Sequence, residues 1–250
     1  IPAVDKVCGP GNPLVQLAKK AVLGVVGVDT IQGPTETIVV ADDLADPALC
    51  AADLLAQAEH AEDAHPILLT TSERLAERIV RRLQTEVQAL PQESPAHISL
   101  ERHGVIAVLD SLDEAVELAN AYAPEHLCLL VRNPWALSGR FVNAGGIFLG
   151  EGSPEVLGDY TAGPSHVMPT AGASRFASPL NLLDFVKITS LVALPADTVR
   201  AIGPAAARIA RGEGLPAHAR AVELRLSERT EEEIENRDLR NQVDLPPPGS

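Results

Sequence analysis

The chain has 250 residues, 46% of them hydrophobic, enough to bury one large core or two smaller ones. Its formal net charge of -14 argues against nucleic acid and anionic membrane as partners. No apolar run is long enough to span a bilayer. Cys8, Cys50 and Cys128 stand far apart with no CxxC, which suggests neither a disulfide framework nor a cysteine zinc site and fits a reducing cytoplasm.

In chain order, Cys8-Gly9-Pro10-Gly11-Asn12-Pro13 reads as a turn that makes Asn12 an N-cap and Pro13 the first residue of a helix reaching about Val25. Such a turn can hold an anion on free backbone N–H groups, although it is no GxGxxG. A β-branched strand over residues 38–40 follows, and Asp46-Pro47 caps a helix predicted to run through His60. Residues 66–70 form the next strand and residues 72–90 a long amphipathic helix. A strand over 105–109 precedes Ser111-Leu112-Asp113-Glu114, a capping box that opens a helix to Tyr122. Strands over 126–131 and 146–149 bracket a helix begun by Asn133-Pro134.

Strand and helix alternating at this rhythm predict right-handed βαβ units: an α/β fold with a mostly parallel sheet and helices on both faces. Ligands in such sheets are expected beyond the carboxyl ends of the strands. Residues 150–179 break the rhythm, and a loop this long points to function or disorder. A last strand is expected over 188–194, then helices over 197–211 and 216–224. The charged, proline-ended segment 227–250 reads as a disordered acidic tail.

The candidate chemistry centres on Asp53-Leu54-Leu55-Ala56-Gln57-Ala58-Glu59-His60. On a helix, Asp53, Gln57 and His60 share a face, and an imidazole beside an amide and a carboxylate is half of a divalent-metal site. The plainer reading is a satisfied polar helix end. Glu125-His126 could be an acid–base couple. It lies at a strand entrance, opposite the expected crevice, so spacing alone favours an exposed turn. Asp159 in the long loop could complete a metal site, and His166 could be a satisfied loop histidine. Glu213 and His218 flank Gly214-Leu215-Pro216-Ala217 at a helix start. His65, His97 and His103 read as structural or exposed.

Gly9-Pro10-Gly11-Asn12, Gly33-Pro34-Thr35-Glu36, Gln57-Ala58-Glu59-His60, Pro124-Glu125-His126-Leu127, Gly158-Asp159-Tyr160, Gly163-Pro164-Ser165-His166-Val167-Met168-Pro169-Thr170 and Glu213-Gly214-Leu215-Pro216-Ala217-His218 together, in this order, resemble the motifs of histidinol dehydrogenases. The resemblance spans roughly residues 4–226. It implies two successive NAD-linked oxidations, from histidinol through an enzyme-held aldehyde to histidine. Gln57, His60 and Asp159 match the family's zinc ligands, and His218 matches a fourth that comes from the partner subunit of a homodimer. Glu125 and His126 match the catalytic acid–base pair. Thr35, Gln57, His60, His126, Asp159, Glu213 and His218 match substrate-contacting positions, and Asn12 matches a residue that touches NAD. Thr35 stands where many members have Ser, which keeps the hydroxyl.

The resemblance implies an incomplete Rossmann-like doubly wound parallel sheet with a small C-terminal helical unit, because family members carry a substantial portion before the segment begun by Ile1. The expected organisation is a remnant of a cofactor-side domain over 1–36, an α/β domain over 37–178, a dimerisation and active-site unit over 179–226, and the tail. A catalytic Glu125-His126 also suggests that the strand starts later than His126. Two alternatives stay open: a related zinc- and NAD-dependent dehydrogenase for another small polar alcohol, and a catalytically incompetent chain that lacks a cofactor wall.

Overall fold

A computed structural model of the chain describes residues 2–227, so the predicted disorder after Ser227 falls outside the described residues. The residues up to Lys187 form one compact unit and those from Ile188 a second. In chain order the first unit contains β1 (Lys6–Val7), α1 (Pro13–Val22), β2 (Gly27–Val28), β3 (Glu36–Ala41), α2 (Pro47–Ala58), β4 (His65–Thr70) and α3 (Glu73–Val87). It continues through α4 (Ala96–His103), β5 (Val105–Val108), α5 (Leu112–Tyr122), β6 (His126–Leu130), α6 (Pro134–Ser138), β7 (Gly146–Leu149) and α7 (Val156–Tyr160).

Five strands pair in the order β5-β4-β3-β6-β7, all parallel. All residues of β3 and β6 are buried, as the centre of a parallel sheet covered on both faces requires. Alternate side chains sort to opposite faces. Val39, Leu68 and Cys128 pack with Leu54 of α2 and Leu75, Ile79 and Leu83 of α3. Ile38, Val40, Leu127 and Leu129 pack with Ala115, Val116 and Ala119 of α5 and Leu137 of α6. The sheet is therefore doubly wound, as the alternating sequence predicted. Order reverses between β3 and β6, because the chain builds outward from β3 to β5 and then crosses back to β6.

The helix starts follow their caps. Asn12, Asp46, Ser72, Ser111 and Asn133 each accept a hydrogen bond from a first-turn N–H. Before the sheet, the Gly9 turn is pinned by a buried ion pair between Lys19 and Asp29, 2.7 Å apart. Asp29 also accepts the Gly9 N–H, and Lys19 donates to the Gly9 carbonyl. The α1 helix stops at Val22 rather than Val25, and Leu14, Leu17 and Val25 are exposed.

Three expectations need correction. The α2 helix ends at Ala58, so His60 lies in the turn after it. Helix α4 went unpredicted. The run expected as a strand over 188–194 is irregular: no described strand pairs with it, and its Ile188 and Leu191 are almost fully exposed. The second unit is a hairpin of α8 (Ala196–Gly212) and α9 (Pro216–Leu226). Gly214, at φ 74°, makes the turn, and Arg211 pairs with Glu223 at 2.7 Å.

Candidate active site

Helix α2 runs back along the sheet, so its carboxyl end meets the amino ends of β3 and β6. There a cavity of about 1000 Å³ opens, lined by Asn12, Thr35, Gln57, His60, Glu125, His126, Glu155, Asp159 and His166 among others. The structure thus brings together seven of the nine residues to which the resemblance assigns a role, with His166 beside them. Glu213 and His218 lie in the second unit, Glu213 capping the end of α8 and His218 exposed in the first turn of α9. The location corrects two expectations. The cavity sits at the amino edge of the strands, not the carboxyl edge. Strand β6 also starts at His126, with Glu125 immediately before it, so no later start is needed.

The His126 imidazole is buried, and its two nitrogens have different neighbours. Nδ1 lies 3.2 Å from the Glu36 carbonyl, which can only accept, so Nδ1 carries the proton. Nε2 is left with its lone pair, 2.7 Å from His166 Nε2. His166 must then donate from Nε2, which also lies 3.2 Å from Asp159 Oδ1. Its Nδ1 is buried without a partner. The two rings stack with centroids 4.7 Å apart. Burial first, then the neighbouring His166 and His60, push the His126 pKa down to about 3, so the ring is neutral at physiological pH.

Glu125 is equally buried. Its Oε2 accepts the Thr35 hydroxyl at 2.6 Å and the Glu36 N–H at 3.3 Å. Burial outweighs these bonds and raises its pKa to about 7. The Gln57 amide donates from Nε2 to Thr35 Oγ1 at 2.8 Å, and its Oε1 lies 2.7 Å from Thr37 Oγ1. Thr37 Oγ1 in turn lies 2.6 Å from Glu155 Oε2.

Sequence reading passed over Glu155, Thr37 and Glu36. Glu155 is 3% exposed, and burial first among its causes lifts its pKa to about 8. Glu36 accepts the Ala171 N–H on one oxygen, keeps the other buried and unpartnered, and is raised by burial to about 7. A signal existed for Glu155, which precedes Asp159 by one helical turn in the same loop. Thr37 carried none, because a β-branched residue in a strand reads as packing. The role first given to Asp53 also changes, since its carboxyl is buried, raised to about 6 by that burial, and does not line the cavity.

Among the described residues, no group of three or more His, Cys, Asp and Glu side chains is arranged around a metal position. Gln57, His60 and Asp159 contribute only two side chains of those kinds, the third being an amide. Together with His166 and its unpartnered Nδ1, they line one cavity with amide, imidazole and carboxylate donors and no thiolate. That donor chemistry fits a zinc ion.

Residues 1–226 match the family model for histidinol dehydrogenase. The chain is 55% identical over 228 residues to histidinol dehydrogenase of Deinococcus radiodurans, covering 90% of this chain and 52% of that protein. It is 50% identical over 225 residues to the Thermus thermophilus protein of the same name, with 90% and 54% covered. The crystal structure of histidinol dehydrogenase from Elizabethkingia anophelis superposes with a TM-score of 0.86 at 38% identity, over 90% of this chain and 52% of that one. The chain therefore spans about half the length of the curated relatives it matches.

Proposed function

Because the chain belongs to the histidinol dehydrogenase family, we propose that it serves the NAD-linked, four-electron oxidation of histidinol to histidine through an enzyme-held aldehyde, the closing steps of histidine biosynthesis. The observation that carries this reading is that a buried Glu125-His126 pair faces the same cavity as Gln57, His60 and Asp159. When bound, zinc would anchor the imidazole and amine of the substrate and NAD would accept hydride, which is chemistry the side chains lack.

The side chains supply the proton chemistry. His126 is tethered through Nδ1, so Nε2 is the atom that takes the carbinol proton as hydride leaves. Burial keeps it in the base form. His166 donates to that lone pair and yields it when a hydroxyl arrives. Glu125, ionised above about pH 7, takes a proton from the water that adds to the aldehyde. Thr35 contacts substrate and Asn12 meets NAD. His218 completes the zinc ligands from a second copy of the chain, and Glu213 answers the substrate ammonium. These assignments, the homodimer among them, rest on the motifs that the chain shares with the family.

Zinc binding tests the reading on the 250-residue chain. Titration is expected to give one zinc per chain, histidinol binding that requires it, and clear loss of both in His60→Ala. Undiminished zinc in that variant would overturn the ligand assignment.

A further inference from the structure

The turn that carries Glu125 and the loop that carries His166 are separate stretches of chain, yet one buried side chain bonds to both. Ser174 lies in a single 3-10 turn (Ala173–Arg175), is 8% exposed, and does not line the cavity. Its Oγ lies 3.0 Å from the Pro124 carbonyl oxygen and 3.2 Å from that of Pro169. Both carbonyls can only accept, so the one hydroxyl proton is shared between them. Pro124 immediately precedes Glu125-His126, and Pro169 closes the stretch His166-Val167-Met168-Pro169. The Pro124 carbonyl also accepts the Gly145 N–H just before β7, whereas no other described donor reaches the Pro169 carbonyl.

The backbone on either side of this bridge is constrained. Ala123 at φ 57° and Ala171 at φ 54° sit in the left-handed region without being glycine, one beside each proline. Such conformations persist only where neighbouring contacts fix them. The Ala123 N–H donates to the Ala119 carbonyl at 2.8 Å, and the Ala171 N–H to Glu36 Oε1 at 3.1 Å. Turn and loop also meet at Gly145, where an added Cβ would fall 2.6 Å from the Glu125 carbonyl oxygen and 3.3 Å from Met168 Cβ.

We propose that Ser174 is a positioning residue: by bridging Pro124 and Pro169 it sets the approach of His166 to His126, the 2.7 Å contact that aims a donor at the lone pair of His126 Nε2. The other ties on the loop lead elsewhere. Thr170 Oγ1 accepts the Gly33 N–H at 2.5 Å, and Gln32 Nε2 donates to the Met168 carbonyl at 3.4 Å. Both hold the loop to the segment before β3, and neither holds it to the turn before Glu125. Ser174 lies outside the cavity and acts on the chemistry only through His126 and His166. Its catalytic meaning rests on the reading of His126 given above.

The test is NMR of the full chain with isotope-labelled histidine, without zinc, substrate or cofactor, so that failure of the functional reading leaves the result unaffected. The scalar coupling across the N–H···N bond reports the contact between His166 and His126. S174A is expected to abolish that coupling, and S174T, which restores a hydroxyl, to keep it. S99A is the control, because Ser99 is also buried and its hydroxyl donates to the Ala64 carbonyl at 2.9 Å on the same edge of the sheet. It loses an equivalent bond and is expected to retain the coupling. Should S174A fail to fold, S174C fills the same space with a weak thiol donor and is expected to weaken the coupling. A coupling unchanged in S174A or S174C, or lost as fully in S99A, would overturn the proposal.

Discussion

The two edges of the one sheet use acidic residues in opposite ways. At the carboxyl edge, Asp42 accepts the Arg132 N–H at 2.7 Å, Asp46 caps α2, and Glu151 accepts the Asp46 N–H at 2.7 Å. These groups are at least partly solvated, and their bonds tie loops together. At the amino edge, Glu36, Glu125 and Glu155 are buried, and that burial raises the pKa of each above the usual carboxylate range. The difference follows from helix polarity. A doubly wound sheet turns helix N-termini toward its carboxyl edge, where they favour anions, and helix C-termini toward its amino edge, where they favour cations. A site with the metal and ammonium proposed above would therefore suit the edge that the usual rule for nucleotide crevices leaves out.

Substitution at each edge sharpens that contrast. The largest effect is expected for His126→Asn in the active enzyme: kcat falls about 10²–10⁴-fold, as loss of a general base does, while zinc is retained. An unchanged kcat would remove His126 from the chemistry.

Next comes pH. The three amino-edge glutamates have folded pKa values of about 7, 7 and 8 against an ordinary 4.5, so the folded chain keeps protons that the unfolded chain has released. Their contribution is present at low pH and is lost as pH rises through these values. His126, lowered to about 3, works the other way, but only below its ordinary 6.5. Between pH 6 and 8 the carboxyls decide, and denaturant titration of the metal-free chain is expected to show a loss on the order of a few kcal/mol. E155Q is expected to flatten that slope; a flat slope in the wild type would contradict the burial account.

A smaller effect is expected at Gly158, where an added Cβ would fall 2.7 Å from His166 Nδ1. Gly158→Ala should cost about 1–3 kcal/mol of stability in denaturant titration, or displace His166, which NMR of the ring nitrogens reads directly. The smallest is Asp42→Asn at the carboxyl edge, where a partly solvated bond is worth about 1 kcal/mol and activity should not change.

Much of the sheet was legible beforehand, because its signals are local. The β-branched run after Glu36, the helix starts at Asn12, Asp46, Ser111 and Asn133, and the alternation of periods each depend on neighbours in sequence. The run at 188–194 failed for the converse reason. Its composition suits a strand, but a strand also needs a partner, and composition cannot supply one. Helix α4 escaped because its short span mixes polar and apolar residues without a clear stripe, under a Pro95 that offers no side-chain cap. In the site, the motif residues were visible by their resemblance. Glu155, Thr37 and Glu36 become chemical only through burial and mutual distance, which no spacing encodes. The edge on which the site lies was misjudged because the crevice rule describes anionic ligands.

The strand order also bears on biosynthesis. Strand β3 is central and the first of these five strands to be made, yet one side of it pairs with β6, and Thr37 is 89 residues from His126. At roughly 5–20 residues per second, a ribosome needs about 5–20 s to deliver that partner. Until then one edge of this fully buried strand has no hydrogen-bonding neighbour, and such an edge invites association with other nascent chains. The strand that closes this gap brings Glu125 and His126 with it. Protection of the sheet and placement of Glu125 and His126 are a single event.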